Sequence, residues 1–105
     1  MAKSIMQDKT RHECWLCAHQ LGNLWEQRDL EEHHVFDGPN RHLSEHYGLK
    51  VYLCIYHHRI GDQAVHNNIG QMRYIQVAGQ KAFEEKYPNL SFREIFGRNY
   101  KDATA

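Results

Sequence analysis

Two short stretches carry the density of β-branched, aromatic and aliphatic residues expected of strands. Leu30 to Phe36 is the first, closed by the turn residues Asp37-Gly38-Pro39-Asn40. Lys50-Val51-Tyr52-Leu53-Cys54-Ile55 is the second. Between them, Arg41 to Gly48 reads as a polar connection with room for a short helical turn from Ser44. Beyond the second strand, Ile69, Met72, Ile75, Gly79, Ala82 and Phe83 recur at helical spacing. They predict an amphipathic helix from about Asn67 to Tyr87, stopped by Pro88. Ser91 and Glu94 then form a capping box, with Leu90 and Ile95 in the hydrophobic-staple positions, so a short helix starts at Ser91 and ends near Gly97. Residues 1–10 are polar and predict a flexible end. The stretch LGNLWEQRDL, Leu21 to Leu30, has no pattern that assigns an element. The result is an α+β order of cysteine knuckle, strand, loop, strand, long helix and short capping helix.

Composition narrows this further. A chain of 105 residues is one small domain, and a core of that size stabilises only marginally. A bound metal would help such a chain considerably. Nine histidines and three cysteines make metal binding the first chemistry to consider, and an odd cysteine count cannot pair entirely within the chain. Thirteen basic and thirteen acidic side chains balance, with a sequence pI near 7.1. A dedicated nucleic-acid binder is usually more basic, so any phosphate affinity must come from local arginines, lysines and metal ions. The start MAKSIMQDKTRHE has no apolar leader segment and no run reaches membrane-spanning length, which predicts a soluble cytoplasmic protein with no membrane partner.

The candidate ligands fall into two sets. Cys14-Trp15-Leu16-Cys17 has a spacing more typical of zinc than of a secreted disulfide framework. Cys54-Ile55-Tyr56-His57 repeats it, and the four together suit a closed tetrahedral zinc site joining the N-terminal knuckle to the end of the second strand. The competing reading is three buried cysteines and a surface histidine. His33, His34, His58 and His66 remain. Adjacent side chains in a strand point to opposite faces, so His33 and His34 cannot easily share one task. A strand histidine and two histidines around a helix start can converge on one metal, and three protein ligands leave positions open for water and substrate, as catalytic sites do. The bland alternative is that these histidines are solvated surface residues.

The elements CWLC, EEHHVFDGPN, YGLKVYLCIYHHR and AVHNN, in that order, resemble the HNH endonucleases, specifically the small phage-type group, over roughly Cys14 to Asn68. The resemblance implies a ββα-metal, treble-clef-like domain stabilised by zinc and a metal-dependent hydrolysis of DNA phosphodiester bonds. It implies that His33 and His58 are ligands of a catalytic divalent metal, that His34 is the general base, and that Cys14, Cys17, Cys54 and His57 hold a structural zinc. The catalytic ion would be Mg²⁺ or Mn²⁺, although imidazole ligands also suit Zn²⁺ or Ni²⁺. Two positions depart from the family pattern. The middle asparagine is replaced by Leu49, with Asn40 as a weak substitute. The last metal ligand falls on Asp62, but Gly61 argues against a continuous helix there, so His66 is preferred and Asp62 is the alternative. Substrate grip would come from Arg41, Lys50, Arg59 and Arg73 around the site. The implied partner is DNA, in a phage or prophage setting that could include packaging or DNA-processing proteins. A non-catalytic treble-clef zinc module binding nucleic acid or protein is the competing function; it explains the cysteines but leaves the histidine pair and His66 without a task.

Overall fold

The structure is a computed structural model that describes residues 3–101. It is a small α+β fold on a two-stranded antiparallel sheet, β1 (Glu31–His34) with β2 (Lys50–Leu53). The register pairs Glu31 with Leu53, Glu32 with Tyr52, His33 with Val51 and His34 with Lys50. Because side chains alternate, one face carries Glu31, His33, Val51 and Leu53, and the other carries Glu32, His34, Tyr52 and Lys50. This partition sends the two adjacent histidines to different surroundings.

The first expected strand is shortened at its C-terminal end for a local reason. Val35 still donates to Leu49 O, but both backbone groups of Phe36 are taken by the Ser44 hydroxyl, which accepts from Phe36 N–H at 2.9 Å and donates to Phe36 O at 2.8 Å. Ser44 is fully buried on α2 (Arg41–Tyr47), a two-turn helix where only a turn from Ser44 was expected. A single 3₁₀ turn, Gly38–Asn40, leads into α2, and Gly48 ends it at φ 73°, a left-handed geometry that glycine adopts without strain. At the N-terminus, α1 (Trp15–Leu21) starts directly from Cys14, whose sulfur accepts from Cys17 N–H. Of the segment expected to be flexible, residues 1 and 2 lie outside the described residues, whereas Ile5 donates to Gly48 O at 2.9 Å and Gln7 Oε1 accepts from Tyr52 N–H at 2.8 Å.

After β2 the chain makes a π-helical turn, Tyr56–Ile60, that ends in extended backbone at Gly61. The long helix α3 (Ile69–Lys86) follows, capped by Asn68, whose side chain accepts from Gln71 N–H. Its buried face is Gln71, Ile75, Gln76, Gly79, Gln80 and Phe83, while Ile69 is exposed and Met72 and Ala82 are half-buried. The glutamines are satisfied internally: Gln71 and Gln20 exchange hydrogen bonds, and Gln80 donates to Asn99 and accepts from Tyr100 N–H. At Gly79 a Cβ would stand 2.9 Å from Val35, so α3 approaches the end of β1 as closely as a glycine allows. The short helix α4 (Phe92–Phe96) starts at Ser91 with the expected cap and stops at Gly97. It delivers Phe92 and Phe96 to a ring cluster with Phe36, Phe83 and Tyr100. Among the described residues, no helix is long and apolar enough to cross a membrane.

Candidate metal centres

The two CxxC-type elements meet. Cys14 and Cys17 at the start of α1 face Cys54 and His57, which flank the start of the π turn. His57 Nδ1 lies 3.7, 3.3 and 3.4 Å from the sulfurs of Cys14, Cys17 and Cys54, and Cys17 and Cys54 sulfurs are 3.9 Å apart. Ligands at ordinary zinc bond lengths in a tetrahedron stand about 3.8 Å apart for two sulfurs and about 3.5 Å for sulfur and nitrogen. The donor set therefore fits, and the cluster could hold a structural zinc. Burial pushes the Cys14 thiol up to about 12 and raises that of Cys17, so a thiolate here needs a cation beside it.

The next residue along the turn looks the other way. His58 Nε2 is 3.2 Å from His66 Nε2, and both rings sit edge-on to His33, with centroids 5.2 and 5.4 Å away. His66 comes back because the chain reverses after Gly61, with His66 N–H directed at His58 O. His33 Nε2 is buried with no hydrogen-bond partner, and burial, followed by the charges His58 and His66 would carry, holds its pKa down to about 3. Each of the three imidazoles offers a ring nitrogen within 4.8 Å of the other two, a set that could hold a metal ion. Two imidazole nitrogens bound to one ion lie about 3.0–3.4 Å apart, which matches the His58–His66 separation. A small polar cavity of about 150 Å³ opens here, lined by Glu32, His33, His34, Asp37, Arg41, His58 and His66. A larger, mainly apolar groove of about 580 Å³ between α1 and α3 contains no such cluster.

His34 reaches the rim of this cavity from the opposite face of β1. Its Nε2 is 2.9 Å from Glu45 Oε1, and Arg41 Nε donates to its Nδ1 at 3.4 Å. Glu32, His34 and Glu45 form a third group within 4.8 Å, but the Lys50 ammonium stands among them, 3.0 Å from Glu45 and 3.6 Å from Glu32. That lysine already supplies the positive charge, and bonds from His34 and Lys50 hold Glu45 down to about 2.

Asp62 is not among the clustered ligands; its carboxylate accepts from the Tyr56 hydroxyl at 3.0 Å. Asn40 donates to Phe96 O and so ties the start of α2 to α4 rather than lining the cavity. Leu49 is wholly buried in the core. Arg41 lines the cavity and is exposed. Lys50 is buried and ion-paired, which removes it from any outward-facing grip. Arg59 is exposed but clamped on Glu31, and Arg73 lies against Gln76 and the Tyr100 ring, away from the cavity. Sequence reasoning missed the carboxylates Glu31 and Glu45. Glu31 accepts from His58 Nδ1 at 2.7 Å, and its only signal was the alternation that puts it on the face of His33. Comparison with protein-family models, curated proteins and solved structures found no match.

Proposed function

We propose that the protein is a metal-dependent endonuclease of the HNH type, hydrolysing DNA phosphodiester bonds at the cavity between β1 and the π turn. The observation that carries this reading is the buried, partnerless His33 Nε2 converging with His58 and His66 while its neighbour His34 stands at the rim of the same cavity. The antiparallel pair of β1 and β2, followed by the His58 turn and α3, supports the ββα-metal, treble-clef-like form of the fold. His33, His58 and His66 would hold the divalent ion, Mg²⁺ or Mn²⁺, with Zn²⁺ or Ni²⁺ also suited to imidazole ligands. Such an ion would supply Lewis-acid stabilisation of the charge developing on the phosphate and the leaving 3′ oxygen.

The chain's own groups supply the rest. His34 is the general base: with Nε2–H directed at Glu45, its Nδ1 is the nitrogen able to take a proton from the attacking water. Arg41, now bonded to that Nδ1, is the exposed cation placed to bind the phosphate and vacate the base as it does so. Supercoiled-plasmid cleavage with Mg²⁺, Mn²⁺ or Ni²⁺, comparing wild type with His34→Ala, tests the reading. Cleavage should fall by about 10²–10⁴ in a variant that keeps its circular dichroism and zinc content. Absence of cleavage by zinc-loaded wild type with every ion overturns the nuclease and leaves the zinc-binding module, which the cysteine cluster supports by itself.

A further inference from the structure

We propose that Glu31 is a positioning residue for the three-histidine site: its carboxylate, gripped by Arg59, fixes His58 so that Nε2 faces His33 and His66, and thereby sets the affinity for a divalent cation. The inference rests on the three histidines being a metal centre, and adds to that reading a residue that touches no metal.

A carboxylate only accepts, so the 2.7 Å contact between Glu31 Oε1 and His58 Nδ1 puts a proton on Nδ1. Neutral His58 then has its lone pair on Nε2, the nitrogen 3.2 Å from His66 Nε2. Without that contact the ring could adopt the other tautomer or turn its wrong edge inward, and the site would lose one of its three donors. A carboxylate on the outer ring nitrogen is the usual partner that orients a metal-binding imidazole.

Glu31 is itself held. Arg59 Nη2 donates to Oε2 at 2.8 Å, and Arg59 Nε reaches Oε1 and Oε2 at 3.0 and 3.2 Å. Arg59 thus engages both carboxylate oxygens, and Oε1 meets the His58 ring as well. The residues of the π turn thus divide their tasks: His57 faces the cysteines, His58 the histidine cluster, and Arg59 the carboxylate orienting His58. Glu31 is two residues before His33 on the same face of β1, so one strand presents a ligand and the orienting group of another.

The test is Mn²⁺ binding to zinc-loaded protein, read by the electron paramagnetic resonance of free Mn²⁺, for wild type, Glu31→Gln, Glu31→Ala and His33→Ala. Affinity should fall about 10–100-fold in Glu31→Ala and less in Glu31→Gln, with zinc content and circular dichroism unchanged. Imidazole ¹⁵N shifts of the manganese-free protein should show His58 as the Nδ1–H tautomer in wild type and a mixture in Glu31→Ala; a purely structural role would leave them alone. Should Glu31→Ala fail to fold, the isosteric Glu31→Gln carries both readouts. Wild-type affinity in the Glu31 variants, with binding lost in His33→Ala, overturns the role of Glu31 and leaves the site standing. No Mn²⁺ uptake by wild type overturns both.

Discussion

Each of the two histidine pairs is split by backbone geometry. His33 and His34 are sent to opposite faces by strand alternation, and His57 and His58 are sent to two different clusters by the π turn. His33 is the most constrained of the four, 3% exposed and held at about 3 chiefly by burial. Its consequence for stability has a definite sign. The unfolded chain protonates this histidine near 6.5 while the folded protein resists down to about 3. Protons therefore favour the unfolded state between those values, and the contribution, complete above 6.5, is lost as pH falls, by at most about 1.4 kcal/mol per pH unit. Thermal melts of protein freed of divalent ions at the histidine site should lose stability from pH 7 to 5 more steeply in wild type than in His33→Gln. Equal slopes would mean that His33 is protonated or solvated in the folded protein.

At the scale of elements, what was legible followed periodicity and caps. The long helix was readable because Ile75, Gly79 and Phe83 recur on one face and Pro88 stops it; the short helix was readable from Ser91 and Glu94. The α2 helix was not, because Arg-His-Leu-Ser-Glu-His-Tyr shows only Leu43 and Tyr47 as apolar positions and its anchor is a serine. No pattern of hydrophobicity announces that Ser44 will satisfy both backbone groups of Phe36. The same limit hid Glu31 and Glu45, ordinary charged residues in the sequence whose meaning comes from the side chains that fold against them. The cysteine and histidine spacings were legible because CxxC and CxxH are local patterns that a metal site would require. Ser44→Ala would strand a buried N–H and C=O together, and should destabilise by roughly 2–4 kcal/mol with Ser44→Thr closer to wild type. Chemical denaturation of the three proteins measures this. A loss below about 0.5 kcal/mol, the scatter of surface substitutions, would mean that water replaces the hydroxyl.

The described residues form a sheet of two short strands, and the cysteine cluster joins parts that the sheet leaves apart: the start of α1, the end of β2 and the π turn. Zinc there would be a crosslink on which the fold depends, because burial disfavours the Cys14 and Cys17 thiolates until a cation compensates them. Uptake should release close to one proton per cysteine ligand, read by calorimetry in buffers of different ionisation enthalpy. His58 follows His57 directly, so loosening the crosslink also scatters the histidine cluster. Chelation, or Cys17→Ser, should therefore abolish cooperative thermal unfolding and Mn²⁺ binding together. His58→Ala should lose Mn²⁺ binding alone, with zinc content and melting temperature retained. If chelated protein still melted cooperatively and bound Mn²⁺, the hydrophobic core around Phe36 and Phe83 would suffice for the fold, and the two centres would be independent.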